Sequence, residues 1–264
     1  MALIQFESVG KTFRTRKGDE FAAVRDFDLT LERGEFFCLL GPSGCGKTTV
    51  LGMLAGFEHP TLGRILLDGA AIAGPSRDRG VVFQGDDSLY PWLTAEENVE
   101  FGLRLRGIPR KERRATSRRY LELVGLAGQQ DKYPPELSGG MKQRIQIARA
   151  LANEPKMLLM DEPFGALDAQ TRGVMQRELR QIWQATGTSV FFITHDIDEA
   201  ITLGTRVGVM TAGPGGTLKE VIPIGLEGER LRTDPEYVRY YARIQETIRN
   251  EVERATRQTT ARAA

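Results

Sequence analysis

The chain has 264 residues, 41% hydrophobic and 27% charged, enough for one large domain or two small ones around a sizeable core. Its 36 basic and 35 acidic residues leave a net charge of +1, which argues against a whole-surface binder of nucleic acid or anionic membrane but allows a local basic patch. Cys38 and Cys45 are the only cysteines, which excludes a disulfide framework and points to a reducing compartment, and adding His59 and His195 produces no structural zinc spacing. In chain order, the opening MALIQFESVG shows no secretory-signal pattern, and no apolar run approaches the ~18 residues of a membrane span, so a globular cytoplasmic chain is expected. Phe27 to Leu31 alternates apolar and polar residues, as a half-buried antiparallel strand does. Phe36 to Leu40 is continuously apolar, which suits a parallel strand covered on both faces; a helix starts near Lys47 and stops at Gly56. Gly63 to Leu67 followed by Asp68-Gly69 reads as a strand entering a hairpin turn. Helical spacing then dominates over Glu96 to Leu105, Lys111 to Val124 and Met141 to Leu151, punctuated by Gly107, Pro109 and Pro134-Pro135. Met157 to Met160 and Val190 to Ile193 are further buried strands, and the charged stretch from Leu226 is helical.

These elements describe an α/β fold: a parallel-sheet core, an antiparallel β subdomain at its edge and an inserted α-helical subdomain. The expected divisions are 1–87 (β subdomain and first part of the core), 88–153 (helical), 154–225 (second part of the core) and 226–264 (tail).

The strand Phe36 to Leu40 runs into Gly41-Pro42-Ser43-Gly44-Cys45-Gly46-Lys47-Thr48-Thr49, which fits G-x-x-x-x-G-K-[ST]. Glycines let successive backbone N–H groups turn inward on an anion, and the following helix adds its positive dipole end. Lys47 supplies a cation for outer phosphates and the Thr48 hydroxyl suits Mg²⁺. A pair of acids, Asp161-Glu162, ends the strand from Met157; ligands bind beyond the carboxyl ends of parallel strands, so Asp161 can serve a metal and Glu162 can take a proton from water. Ser138-Gly139-Gly140 opens a helix with a capping serine and two small residues, which makes a second anion-binding start without a lysine.

Taken together, residues 3 to 220 resemble the nucleotide-binding subunit of an ATP-binding-cassette transporter, a P-loop NTPase with a RecA-like core. The resemblance rests on the Walker A loop with Lys47 and Thr48, Gln84 as Q-loop, Ser138-Gly139-Gly140 as signature, Asp161-Glu162 as Walker B, Gly165-Ala166-Leu167-Asp168 as D-loop and His195 as switch histidine. Phe13 falls where the family stacks an aromatic on adenine, although packing in the core is the other reading of that residue. Met141 and Gly165 depart from the commoner glutamine and serine. The resemblance implies ATP and Mg²⁺ as cofactors, with Thr48, Gln84 and Asp161 at the metal and Glu162, His195 and Lys47 in catalysis. It also implies two copies clasping ATP head to tail, one offering Lys47 and the other Ser138, Gly139, Gly140 and Asp168.

The implied partners are transmembrane permease subunits and, indirectly, an exported solute-binding protein, with the chain peripheral on the inner face of the cell membrane and no nucleic acid expected. Gly74 to Gln84, Tyr90-Pro91-Trp92 with Asn98-Val99, and Asp161 to Asp168 are similar to importers of nitrate, sulfonates and taurine. Ser88 to Leu93 reads either as a docking patch or as packing within the fold. The alternative function is a soluble ATPase of the same superfamily acting on nucleic acid or ribosomes. Its support is the basic run Arg104, Arg106, Arg110, Lys111, Arg113, Arg114, Arg118 and Arg119, which otherwise reads as a solvated helix face.

Overall fold

The computed structural model describes residues 2–15, 18–83, 88–165 and 167–263, with side chains as far as residue 255. The chain forms two compact units, 1–75 with 191–264 and 76–190. In the first, β1 (Ala2–Arg14) and β2 (Glu20–Glu32) form a long antiparallel pair, followed by β3 (Phe36–Leu40), α1 (Lys47–Ala55), β4 (Leu62–Leu67) and β5 (Ala70–Ala71). The antiparallel layer has the order β2-β1-β4-β5. Asp68 and Gly69 join β4 to β5 with φ of 52° and 77°, the doubly left-handed turn whose twist matches a two-residue hairpin.

The second unit starts with β6 (Arg79–Val82), then the helices α2 (Ala95–Leu105), α3 (Arg110–Leu123) and α4 (Gly139–Leu151), with a 3-10 turn at Pro134–Glu136 before α4. β7 (Met157–Asp161) pairs in parallel with β6, and α5 (Ala169–Thr186) follows. The chain crosses between the units inside β8 (Ser189–Ile193). Back in the first unit come α6 (Ile197–Leu203), β9 (Arg206–Met210), β10 (Leu218–Pro223) and α7 (Pro235–Ala263).

β3 is buried along its whole length and pairs in parallel with β9. β10 then adds antiparallel to β9, so the core sheet is mixed, where the apolar runs had pointed to parallel strands alone. Aromatic side chains join it to the β layer: Phe6 meets Phe27 edge-on at 5.1 Å within that layer, Phe37 stacks on Phe191 at 5.6 Å within the core sheet, and Phe6 reaches Phe191 across the two at 6.4 Å.

α2 begins with a capping box: the Thr94 hydroxyl accepts from Glu97 N while the Glu97 carboxylate accepts from Thr94 N. Ahead of it, the fully buried Asn98 folds the 90–94 turn around itself, accepting from Tyr90 N (2.9 Å) and donating to the carbonyls of Tyr90, Leu93 and Thr94 at 3.0–3.2 Å. Asn98→Ala removes the side-chain partner of Tyr90 N and Leu93 O, while Tyr90 O and Thr94 O keep backbone donors, and it is expected to lower unfolding free energy by about 2–3 kcal/mol in urea titrations.

Candidate functional site

Within the first unit, the loop after β3 closes on its own lysine. Lys47 is 7% exposed, and its ammonium donates to the carbonyls of Gly41 (2.7 Å) and Pro42 (3.1 Å). Both partners are dipoles, so the buried cation is held in place and its charge remains for an anion. Gly46 has φ of 101°, and a Cβ there would meet Ala23 O at 2.6 Å; Gly44 also has positive φ but faces open space. Helix α1 starts from Gly46 with no side-chain cap and no acid in its first turn, so its first N–H groups point outward as a ready anion site. Ser43, Gly44 and Thr48 are exposed at this mouth, while Cys45 is buried. Burial pushes the Cys45 thiol up despite the nearby Lys47, which keeps it protonated. Exposed amides, a lysine and a hydroxyl at one helix start fit a polyphosphate and the oxygen ligation of Mg²⁺.

The same unit holds the histidine. Thr194 N donates to Leu39 O at 3.3 Å, which sets the end of β8 beside the end of β3. His195 therefore emerges, exposed, at the sheet edge from which the lysine loop also departs. On the β layer, Phe13 stands opposite Phe21 and is 36% exposed, with the Lys11 ammonium 4.8 Å above its ring. Core packing is thus not its role. His59 is exposed, and its carbonyl accepts from Lys11.

Within the second unit, Asp161 is the last residue of β7, and Glu162 follows with φ of 43°. A left-handed glutamate costs about 1 kcal/mol and persists only where its surroundings hold it. Gln143 supplies part of that hold: buried on α4, it donates through Nε2 to the carbonyl of Pro163. The same helix starts at Ser138, whose hydroxyl accepts from Met141 N at 3.3 Å. One helix thus links the serine-glycine start to the segment after the two acids. Asp168 is exposed and caps α5, accepting from Gln170 N and Thr171 N at 3.0 Å and from the Thr171 hydroxyl at 2.6 Å. The Thr171 hydroxyl, then the capped amides, hold its carboxyl below the usual range, so it stays ionised. Gln84 lies outside the described residues, as does Ala166.

The Ser88 to Leu93 segment splits between its two readings. Leu89 is buried, and Tyr90 packs on Phe101 at 4.6 Å; Trp92 is 69% exposed. Arg149 fastens the segment from behind, donating to Ser88 O and Oγ. Half of the basic run is engaged in ion pairs: Arg113 with Glu100, Arg114 and Arg118 with Glu96, and Arg119 with Glu154. Three of these pairs fasten α3 to α2, which removes much of the support for a nucleic-acid face.

Residues 24–165 match the family described as ABC transporter. A nitrate import ATP-binding protein of Synechocystis is 44% identical across 93% of this chain and 95% of its own length. A taurine import ATP-binding protein of Pseudomonas aeruginosa is 47% identical across 90% of this chain and 93% of its own. This chain belongs to the ABC transporter family. Among solved structures, a dimeric ATP-binding cassette in a post-hydrolysis state with ADP and phosphate superposes with a TM-score of 0.71 at 32% identity, covering 85% of this chain and all of its own. In this ABC cassette the two departures from the commoner pattern act through backbone groups: Met141 N serves the serine cap, and Gly165 N donates to Glu162 O.

Sequence reading missed two supports of the site. A Cβ on Gly216 would lie 2.1 Å from Cys45 O, so the Gly213-Pro214-Gly215-Gly216 turn backs the lysine loop, and its glycine density was the available signal. Gln143 had no such signal, being one polar residue on a helix. Lys47→Ala is expected to weaken ATP binding at least about tenfold in calorimetry, the loss of a charge-assisted phosphate contact.

Proposed function

We propose that this chain is the ATP-hydrolysing subunit of an importer for nitrate, a sulfonate, taurine or a related small anion, working with separate membrane-spanning permease subunits. The observation that carries the reading is the Lys47 loop, a buried cation behind an uncapped helix start. The nitrate and taurine import proteins, similar along nearly their whole length, support the importer role. Among the described residues no helix is long and apolar enough to cross a membrane, so the permease path is assigned to other chains. The chain would sit on the inner face of the cell membrane and receive solute passed on by an exported binding protein. Trp92, exposed beside the anchored Tyr90, suits an apolar partner surface.

In this reading ATP is the substrate. Lys47 and the α1 amides bind its phosphates, Phe13 offers its exposed ring face to adenine, and His195 contacts the terminal phosphate. Thr48, Asp161 and Gln84 would hold Mg²⁺, which supplies charge neutralisation of the phosphate oxygens. Glu162 takes the proton of the attacking water, a role worth about 10²–10⁴ in rate. A second copy closes the site with its Ser138, Gly139, Gly140 and Asp168, and the dimeric cassette with ADP and phosphate supports that pairing. Loss of the terminal phosphate contacts then loosens the pair, and the opening motion drives the permease.

Glu162→Gln is expected to keep ATP affinity, to slow hydrolysis about 10²–10⁴-fold and to accumulate a dimer in ATP by analytical ultracentrifugation. A monomer at saturating ATP would overturn the two-copy clasp.

A further inference from the structure

The tail after Leu226 has no role in the reading above, yet three of its side chains, Arg230, Arg232 and Tyr237, converge on a single short helix. That helix, α6, begins directly after His195. Asp196 caps it, accepting from Asp198 N (2.8 Å) and Glu199 N (3.3 Å). The buried Thr194 ties the other flank of the histidine, with its hydroxyl donating to Glu199 at 2.6 Å and accepting from Asp196 N at 3.0 Å. His195 is thus bracketed by two residues bonded into the first turn of α6, and wherever α6 goes its backbone follows.

The tail grips α6 at both ends. At the start, Tyr237 of α7, only 2% exposed, donates its phenol to Asp198 Oδ1 at 2.8 Å, and Arg232 pairs with the same carboxylate at 3.2 Å. Burial pushes the Tyr237 phenol up to about 12, so it remains a donor throughout the neutral range. At the far end, Arg230 donates to the carbonyls of Ile201 and Gly204 (2.6 Å for the latter), where a cation satisfies the orphan carbonyls and the negative dipole end. α7 is itself anchored on β10, through Arg243 to Glu220 and Lys219 to Glu251, with Ile244 fully buried. A tail that is anchored through α7 and holds a seven-residue helix by its two ends, with Tyr237 of α7 at one and Arg230 of the preceding loop at the other, acts as a splint.

We infer that the C-terminal tail is a positioning device for His195, with Tyr237, Arg230 and Arg232 as positioning residues that act through α6. The inference rests on the ATPase reading for its effect on rate, while the mechanical part stands on the contacts alone. Its prediction is a split: loosening the splint costs turnover and spares nucleotide binding, because the Lys47 loop is held by β2 and the Gly213 to Gly216 turn instead.

The test is Tyr237→Phe, which keeps the buried ring and removes one hydroxyl. Amide exchange over residues 195–203 is expected to rise at least about fivefold with α1 unchanged, and kcat for ATP to fall about tenfold with KM within about twofold. Asp198→Ala, which also removes the Arg232 pair, should lose at least as much, Asp198→Asn should restore part of it by keeping an acceptor for the phenol, and the Tyr237→Phe/Asp198→Ala pair should be no worse than Asp198→Ala alone. Unchanged exchange over 195–203 overturns the splint whatever hydrolysis does. Faster exchange with full turnover overturns the positioning role. A wild-type chain without ATPase activity refutes the function proposed above, and the exchange measurement still decides the splint.

Discussion

A lysine folded back onto the carbonyls of its own loop is the constraint around which the first unit is arranged. An ammonium 7% exposed is costly unless dipoles or an anion surround it. The loop provides two carbonyls, and it can do so only because Gly46 takes a left-handed conformation against Ala23. That packing in turn requires β2 to lie alongside and the turn at Gly216 to approach Cys45 without a side chain. The fully buried β3 delivers the loop to this place, and the uncapped start of α1 completes it. The loop thus offers an anion mainly backbone groups, with one side chain contributing charge.

The second unit reaches its arrangement differently, by placing single polar side chains where irregular backbone must be held. Asn98 holds the turn that carries Tyr90 and Trp92, Arg149 holds the segment before it, and Gln143 holds the chain after Glu162. Each is a buried or half-buried group whose bonds go mainly to main-chain atoms. Such groups contribute modestly when satisfied and cost much when a partner is lost, so they specify geometry more than they add stability. The strained φ of Glu162 is an example of backbone kept in place by such bonds.

Charge is distributed with the same economy. Carboxylates at helix starts are used as caps, at Asp168 and Asp196, and arginines are matched to acids on neighbouring helices or to carbonyls at a helix end. Of a run of eight basic residues that looks like a polyanion surface, three are helix-to-helix fasteners.

Sequence alone determined the parts whose chemistry is local. The glycine-lysine loop after an apolar strand, the acid pair at a strand end and the serine-capped helix follow from spacing and residue type, whereas the histidine after Ile193-Thr194 takes its expected role from the family resemblance. The helices of the insertion were legible from their 3.6-residue periodicity, within one or two residues of their ends. Tertiary structure decided what depends on partners distant in the chain. The antiparallel β10 could not be foreseen, because an edge strand of six mixed residues has no distinctive pattern. Phe13 proved to be exposed because its register with Phe21 sets which face it occupies. The convergence of Tyr237 and Arg230 on α6 joins residues 26 to 39 positions apart through hydrogen bonds, and no periodicity or composition encodes a contact of that kind.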